Sequence, residues 1–234
     1  PIDALQSLVQ KSFVFQVDDA RFGLLVSVQE YAAEHLRTAA RYDGSGPAAE
    51  LAAQVRHGAY FAGLDEAAAT AGSCAELENF VAGCRRAVAR CDANKAVALL
   101  EGAWAGLKLH GPYRVGEELA LLVLGMPALE TGDAARAQWV AGSALLSDAD
   151  AYPHFEAARA LAREIGDRSC EARALHKLGD LDFRAGREDN ARMHYGAAMA
   201  AARELQDRRI ESDVHIGLGN IEEILGRIDD ARAH

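Results

Sequence analysis

The side chains best suited to nucleophilic or metal-assisted chemistry are cysteines and histidines, and neither type is arranged for it. Cys84 and Cys91 are seven residues apart on one predicted helix, so they share a face and are expected to be core thiols. A nucleophilic cysteine would need a nearby base and a lowered pKa. None of the eight histidines belongs to an HExxH motif. We therefore expect no catalytic residue and no metal.

The sequence lacks the glycine motifs that bind phosphates and dinucleotides. No GxxxxGK[ST] sequence occurs, and Gly217-Leu218-Gly219 lies inside a predicted helix, with Glu222 where a dinucleotide motif needs its third glycine. Paired acids such as Glu117-Glu118 lie at predicted helix starts or on solvent faces, where carboxylates favour the positive end of the helix dipole. The sequence predicts no cofactor and a protein that is not an enzyme.

The composition favours helices and excludes several partners. Half of the residues are hydrophobic and only 6% are aromatic, which is typical of tightly packed helices. The formal charge of -10 repels phosphate backbones and anionic lipids, so no nucleic-acid partner is expected. No apolar run approaches the roughly twenty residues that a membrane span needs. Cys74, Cys84, Cys91 and Cys170 form no CxxC pair, which indicates reduced thiols and a cytoplasmic location.

The elements that would position functional side chains are visible in an internal repeat. Residues 178–194 align with residues 218–234, and eight of the seventeen aligned positions are identical. Each unit reads as helix, turn, helix, with Gly186 or Gly226 ending the first helix in the left-handed conformation. A degenerate third unit precedes them: a helix over residues 135–146, a turn at residues 148–150 and a helix starting near Pro153, which suits a first helical turn.

The spacing within these units resembles the tetratricopeptide repeat. The family's Leu-Gly, Ala, aromatic and Ala positions are occupied by Leu178-Gly179, Ala191, Tyr195 and Ala198. Gly179 and Ala191 are small enough to let two helices approach closely. Leu175 and Arg203 stand where the family has tryptophan and proline, and each unit is six residues longer. The resemblance implies an all-α solenoid of helical hairpins.

The first forty residues have a different pattern: a helix over residues 4–11, a β-prone run at 13–17, a turn at Asp18-Asp19, a strand at 21–25 and a helix over 28–40. Residues 4–9, 21–25 and 29–32 resemble the winged-helix end of bacterial STAND-class signalling ATPases of the NB-ARC type. Residues 57–61 and 76–79 resemble the start of the repeat region in the same proteins. The resemblance implies that a nucleotide-binding domain precedes this chain and that helical repeats follow the winged helix.

The only linker-like stretch is Gly44-Ser45-Gly46-Pro47, so we place a domain boundary there. Residues 1–43 are expected to be the C-terminal part of a winged-helix domain with a β-hairpin. Residues 44–134 would form helical hairpins that lead into the array, and 135–234 would form TPR-like repeats with the last one truncated. Ala71-Gly72-Ser73 is the alternative boundary.

By the tetratricopeptide resemblance, the first helix of each pair would line a concave groove. The residues placed there are Arg136, Trp139, Ser143, Arg173, His176, Asp180, Arg184, Asp213, Asn220 and Glu223. Arginine, tryptophan and histidine are types that anchor peptides and carboxylates. The alternative interpretation is an ordinary solvated helix face.

The resemblance implies a non-catalytic sensor or interaction module of a multidomain signalling ATPase, with a protein or peptide partner, or a small effector, in the groove. One alternative is a constitutive peptide-binding scaffold without switching. The other is a small-molecule hydrolase with a deep pocket lined by His57, Tyr60 and Cys84. A broad open groove would favour the scaffold, and such a pocket would favour the hydrolase.

The last predicted helix, near residues 210–225, carries an apolar stripe of Val214, Leu218, Ile221 and Leu225. A repeat array normally covers such a stripe with a further helix. The sequence therefore predicts either a homodimer through this face or a mobile last helix.

Overall fold

The computed structural model describes residues 2–17, 21–127 and 129–224. These residues form twelve α-helices and one pair of antiparallel strands, so the expected mostly helical fold is confirmed. The chain divides into two units, of which the first ends at His57 and the second starts at Gly58.

The first unit contains the predicted helix, hairpin and helix. Its elements are α1 (Ile2–Gln10), β1 (Val14–Gln16), β2 (Phe22–Leu24), α2 (Val26–Arg37) and the first part of α3 (Pro47–Ala62). The strands pair with Val14 opposite Leu24 and Gln16 opposite Phe22. The turn predicted at Asp18-Asp19 lies outside the described residues. The division between the units falls within α3, ten residues beyond the end of the linker predicted at residues 44–47.

The second unit continues with helices only, among the residues that the structure describes. They are α4 (Glu66–Cys74), α5 (Leu77–Ala89), α6 (Ala93–His110), α7 (Tyr113–Leu124), α8 (Thr131–Ala144), α9 (Asp148–Ile165), α10 (Arg168–Arg184), α11 (Glu188–Leu205) and α12 (Arg208–Ile224). Gly72 and Ser73, at the alternative boundary, have positive φ and break α4. Gly186 follows α10 with φ +69°, as predicted.

These helices pack as hairpins and also in layers. From α5 onward, consecutive helices contact each other, most extensively in the hairpins α8–α9 and α10–α11. Alternate helices also touch: α4 contacts α6, α6 contacts α8, α8 contacts α10 and α10 contacts α12. The even-numbered helices therefore form one continuous layer, which includes the first helix of each predicted repeat pair.

Helix α9 begins earlier than the sequence suggested. The prediction of a turn at residues 148–150 is wrong, because these residues form the first turn of α9. The Ser147 hydroxyl caps the helix by accepting a hydrogen bond from the backbone N–H of Asp150, at 3.4 Å. Asp148 and Asp150 favour the positive end of the helix dipole. Pro153 consequently lies inside the helix rather than at its start.

The tightest approach between helices in the repeat region is made by Tyr195 of α11. Its buried ring lies against a glycine of each neighbouring helix. A Cβ atom added to Gly179 of α10 would lie 2.6 Å from the ring carbon Cδ1, and one added to Gly217 of α12 would lie 2.4 Å from Cζ. The prediction that Gly179 allows close approach is confirmed. Ala191 and Ala198 are fully buried in the same cluster.

The apolar stripe of α12 is not uncovered along its length. Val214 and Ile221 are fully buried in the cluster that contains Tyr195, so the chain itself already covers the stripe at these two positions. Leu218 is half-buried against the same cluster. Leu225, Gly226 and the repeat positions up to His234 lie outside the described residues. A homodimer through this helix stays a prediction.

Candidate binding groove

A cavity of about 870 Å³ lies within the second unit and is lined mainly by α6, α8, α9, α10 and α12, with Glu66 from α4. We call it the inner groove. The layer of even-numbered helices curves around it. This curvature brings Arg209, near the start of α12, within 3.9 Å of Glu66 at the start of α4. The first helices of the repeat pairs, which the sequence placed at a groove, therefore line this one.

Most of the predicted groove residues lie at the inner groove. They are Trp139, Ser143, Arg173, His176, Asp180, Arg184 and Asp213. Asn220 instead lines an adjoining cavity of about 360 Å³ between α10, α11 and α12. The structure thus brings together side chains that are widely spaced in the sequence, and it does so through the contacts of α8, α10 and α12.

Two predicted residues lie elsewhere. Arg136 is not among the lining residues of the inner groove, and its guanidinium pairs with Glu101 at 3.1 Å and with Asp133. Burial opposes the charge of Arg136, but these carboxylates raise its pKa. Glu223 is exposed on α12 and lines neither cavity. For Arg136 the reason is local, since the acids of α6 and α8 hold its side chain.

Arg173 and Trp139 form the central contact of the groove. The guanidinium carbon of Arg173 lies 3.9 Å from the centroid of the Trp139 ring, a cation–π geometry. Trp139 Nε1 is buried without a hydrogen-bond partner. Ser143 continues this face, with its hydroxyl donating to the backbone oxygen of Trp139 at 2.8 Å. Among the described residues, no carboxylate lies within ion-pair distance of Arg173.

Asp180 organises the polar side of α10. Its carboxylate accepts hydrogen bonds from Lys177 Nζ at 3.0 Å and from the Tyr195 hydroxyl at 2.9 Å, and His176 Nε2 lies 3.4 Å away. Burial, helped by Asp180, raises the pKa of Tyr195, so this phenol stays protonated. Burial lowers the pKa of His176 although Asp180 and Asp213 oppose the effect. The groove therefore presents a neutral imidazole near neutral pH.

Several other charges in the groove are already paired. Arg184 makes two bonds of 2.7 Å to the Asp148 carboxylate, which holds the pKa of that acid below its usual range. Lys108 forms an ion pair with Glu66 and lowers the pKa of that carboxyl. These pairs are partly exposed and contribute little to stability. They do, however, neutralise two cations that would otherwise be available to bind a ligand.

Part of the lining of the inner groove was not predicted from the sequence. Glu66, Glu101 and Lys108 of α4 and α6 face the groove, yet these helices carry no clear repeat identity. Lys177 also lines the groove, beside the predicted His176. The available signal for Lys177 was its spacing of three and four residues from Asp180 and Arg173, which places all three near one face of α10. No comparable signal existed for α4 and α6.

No protein-family model matches this chain, and no curated protein matches it. Within the described part of the chain, no group of three or more His, Cys, Asp and Glu residues is placed to hold a metal ion. None of the described helices is both long and apolar enough to cross a membrane.

The residues named for a hydrolase line neither the inner groove nor the cavity that adjoins it. Cys84 is fully buried in the core, its thiol donates to the backbone oxygen of Ala96 at 3.4 Å, and burial raises its pKa to about 12. Tyr60 is exposed. Neither of them, nor His57, lines the inner groove. A thiolate nucleophile at Cys84 is disfavoured by its surroundings.

Proposed function

We propose that this chain is a non-catalytic interaction module that binds a protein or peptide partner in the inner groove. The observation that supports this most is Arg173, a groove cation held by Trp139 with no carboxylate partner among the described residues. Arginine on an aromatic platform is a common anchor in binding sites. The groove also has the volume of known ligand sites, which range over about 300–1,000 Å³.

We also propose how the helices of the second unit are arranged. We infer a TPR-like solenoid, in which the even-numbered helices are the inner layer and the odd-numbered helices the outer one. Support comes from the burial of Gly179, Ala191, Tyr195 and Ala198, which occupy the family's small and aromatic positions. Further support comes from the contacts between alternate helices. Repeat arrays of this kind typically bind partners on their inner surface.

The place of the module in a larger protein rests on the sequence resemblance. We propose that the chain is the sensing arm of a bacterial, cytoplasmic STAND-type signalling ATPase and that its first unit is a winged-helix remnant. The helix, hairpin and helix of that unit are compatible with this proposal. Partner binding would shift an equilibrium between inactive and active states, provided that the partner binds one state more tightly.

A pair of matched substitutions tests groove binding. Ala98 lines the groove, whereas Ala197 is exposed on α11 and lines neither cavity. An array of random-sequence peptides would be probed with the chain and with its Ala98→Trp and Ala197→Trp variants. We expect a set of peptides that bind the chain and the Ala197→Trp variant but lose binding to Ala98→Trp, because the indole fills the groove.

Two outcomes would count against the proposal. Binding that survives Ala98→Trp would place the partner elsewhere, and an array without any bound peptide would remove the interaction role. For the signalling role, the selected peptide would be added to the full-length protein, where a change in ATP hydrolysis is expected. An unchanged rate would leave the constitutive scaffold as the better description.

A further inference from the structure

The sixth residues of α8, α10 and α12 are all charged. They are Arg136, Arg173 and Asp213. Helices α10 and α12 also start alike, because Asp167 and Asp207 each accept a hydrogen bond from the backbone N–H three residues later. The charge at this position is thus positive in α8 and α10 and negative in α12.

Only the first of these charges is neutralised within the described part of the chain. Arg136 pairs with Glu101 and Asp133. Arg173 and Asp213 both line the inner groove and are half-buried. Neither has an ion-pair partner among the described residues. Half-buried charges without partners are unfavourable unless something neutralises them, so Arg173 and Asp213 are available to a ligand as a cation and an anion.

The two charges do not form an ion pair with each other, and the guanidinium of Arg173 is held against α8. Arg173 is stacked on Trp139, which belongs to α8 on one side of α10. Asp213 belongs to α12, which also contacts α10, and it lies near enough to His176 to influence that imidazole. Neighbouring packed helices have axes about 8–10 Å apart. The axes of the helices that carry the cation and the anion are therefore on the order of 10 Å apart.

We propose that the inner groove binds a dipolar peptide segment, whose acidic group meets Arg173 and whose basic group meets Asp213. This inference rests on the proposed peptide-binding function and specifies its ligand. An extended peptide rises about 3.3 Å per residue, so groups about 10 Å apart are roughly three or four residues apart. A single amino acid is too short to reach both charges. The acidic end of the ligand lies toward α8 and the basic end toward α12.

The test uses four end-capped peptides and NMR titration of the chain. Each peptide has about three alanines between its end residues, from the same spacing. One has aspartate and lysine at its ends, one has two aspartates, one has two lysines and one has only alanines. We expect the mixed peptide to bind about tenfold more tightly than either like-charged peptide, and its affinity to fall as salt is added.

Charge-reversal variants supply the matched controls. In Asp213→Lys the preference should change to the two-aspartate peptide, and in Arg173→Glu to the two-lysine peptide. The double variant Arg173→Glu with Asp213→Lys should again prefer the mixed peptide, in the opposite orientation. A merely structural role of these side chains would not restore that preference. Circular dichroism checks that each variant is folded, and the four-peptide comparison on the unaltered chain stands without them.

The outcomes separate this inference from the proposed function. If peptides from the random array bind in the groove but the mixed and like-charged probes bind equally well, the dipolar inference is overturned and the binding role stands. If neither the array nor any probe shows binding, both are overturned. A preference for the two-aspartate peptide in the unaltered chain would show that Asp213 takes no part and would also overturn the inference.

Discussion

The guanidinium of Arg173 lies 3.9 Å from the centroid of the Trp139 ring, so a side chain of α10 is held on one of α8 inside the groove. The contact restricts the rotamers of a long side chain before any ligand arrives, which lowers the entropy lost on binding. An aromatic face attracts the cation without satisfying its N–H donors. The stacked arginine therefore remains able to bind a carboxylate.

Replacing Arg173 tests this role against that of Arg184. We expect Arg173→Ala to weaken a groove-binding acidic peptide about tenfold, because a charge-assisted hydrogen bond contributes about 1.5–3 kcal/mol. Its free energy of unfolding should fall by only about 1 kcal/mol, the scale of a cation–π contact. Affinity would be measured by titration and stability by urea unfolding.

Arg184→Ala is the matched control. Arg184 lines the groove, but its guanidinium is bound to Asp148 by two bonds of 2.7 Å. The pair is well exposed, so its loss should cost less than about 1 kcal/mol and leave affinity within about twofold. Equal losses of affinity in the two variants would contradict the assignment of Arg173 as the available cation.

Two glycines give a prediction about packing around Tyr195. Gly217→Ala should destabilise the chain by about 1–3 kcal/mol, because the new Cβ would lie 2.4 Å from Cζ of a buried ring. Gly196 lies in α11 with no atom within 4 Å of an added Cβ. Gly196→Ala should therefore stabilise by about 0.5–1 kcal/mol through helix propensity. Unfolding midpoints that do not move in opposite directions would show that this interface is loosely packed.

His176 predicts a pH dependence of stability. Its pKa is lowered in the folded chain, mainly by burial, so the folded state binds a proton less readily than the unfolded state. Stability should then fall as the pH drops below about 6.5, the ordinary histidine pKa, with a slope of at most about 1.4 kcal/mol per pH unit. The loss ends once the pH is below the folded pKa.

The His176→Gln variant isolates this contribution from those of the other histidines. The difference in free energy of unfolding between the chain and the variant should change between pH 7 and pH 5, as measured by urea titrations at several pH values. Parallel curves over that interval would mean that His176 titrates normally in the folded state.

The hairpins could be predicted from the sequence because they depend on spacing within one helix pair, whereas the groove was expected only from the tetratricopeptide resemblance. Gly179, Tyr195 and Ala198 lie on predicted faces, and their burial follows from helical periodicity. The start of α9 was missed because Pro153 suggested a first turn, whereas the Ser147 cap and two acidic residues favour an earlier start.

The ion pairs could not be predicted from the sequence. Arg184 and Asp148 are 36 residues apart, and Arg136 and Glu101 are 35 apart. Whether such side chains meet depends on how α9 and α6 pack beside the repeat helices, and no periodicity encodes that. For this reason the arginines looked equivalent in the sequence, while the structure leaves Arg173 without a carboxylate partner among the described residues.

The different exposure of the four thiols predicts selective chemical labelling. The same labelling tests whether the chain has a cysteine nucleophile. Cys91 is exposed, whereas Cys74, Cys84 and Cys170 are buried. Burial raises the pKa of Cys84 to about 12 and that of Cys170 to about 11, so both are protonated and shielded at neutral pH. N-ethylmaleimide should therefore add rapidly to Cys91 alone, as read by intact mass and peptide mapping.

The Cys91→Ser variant should take up almost no label until it is unfolded. Fast alkylation of Cys84 in the folded variant would instead reveal an accessible thiolate and restore the hydrolase alternative.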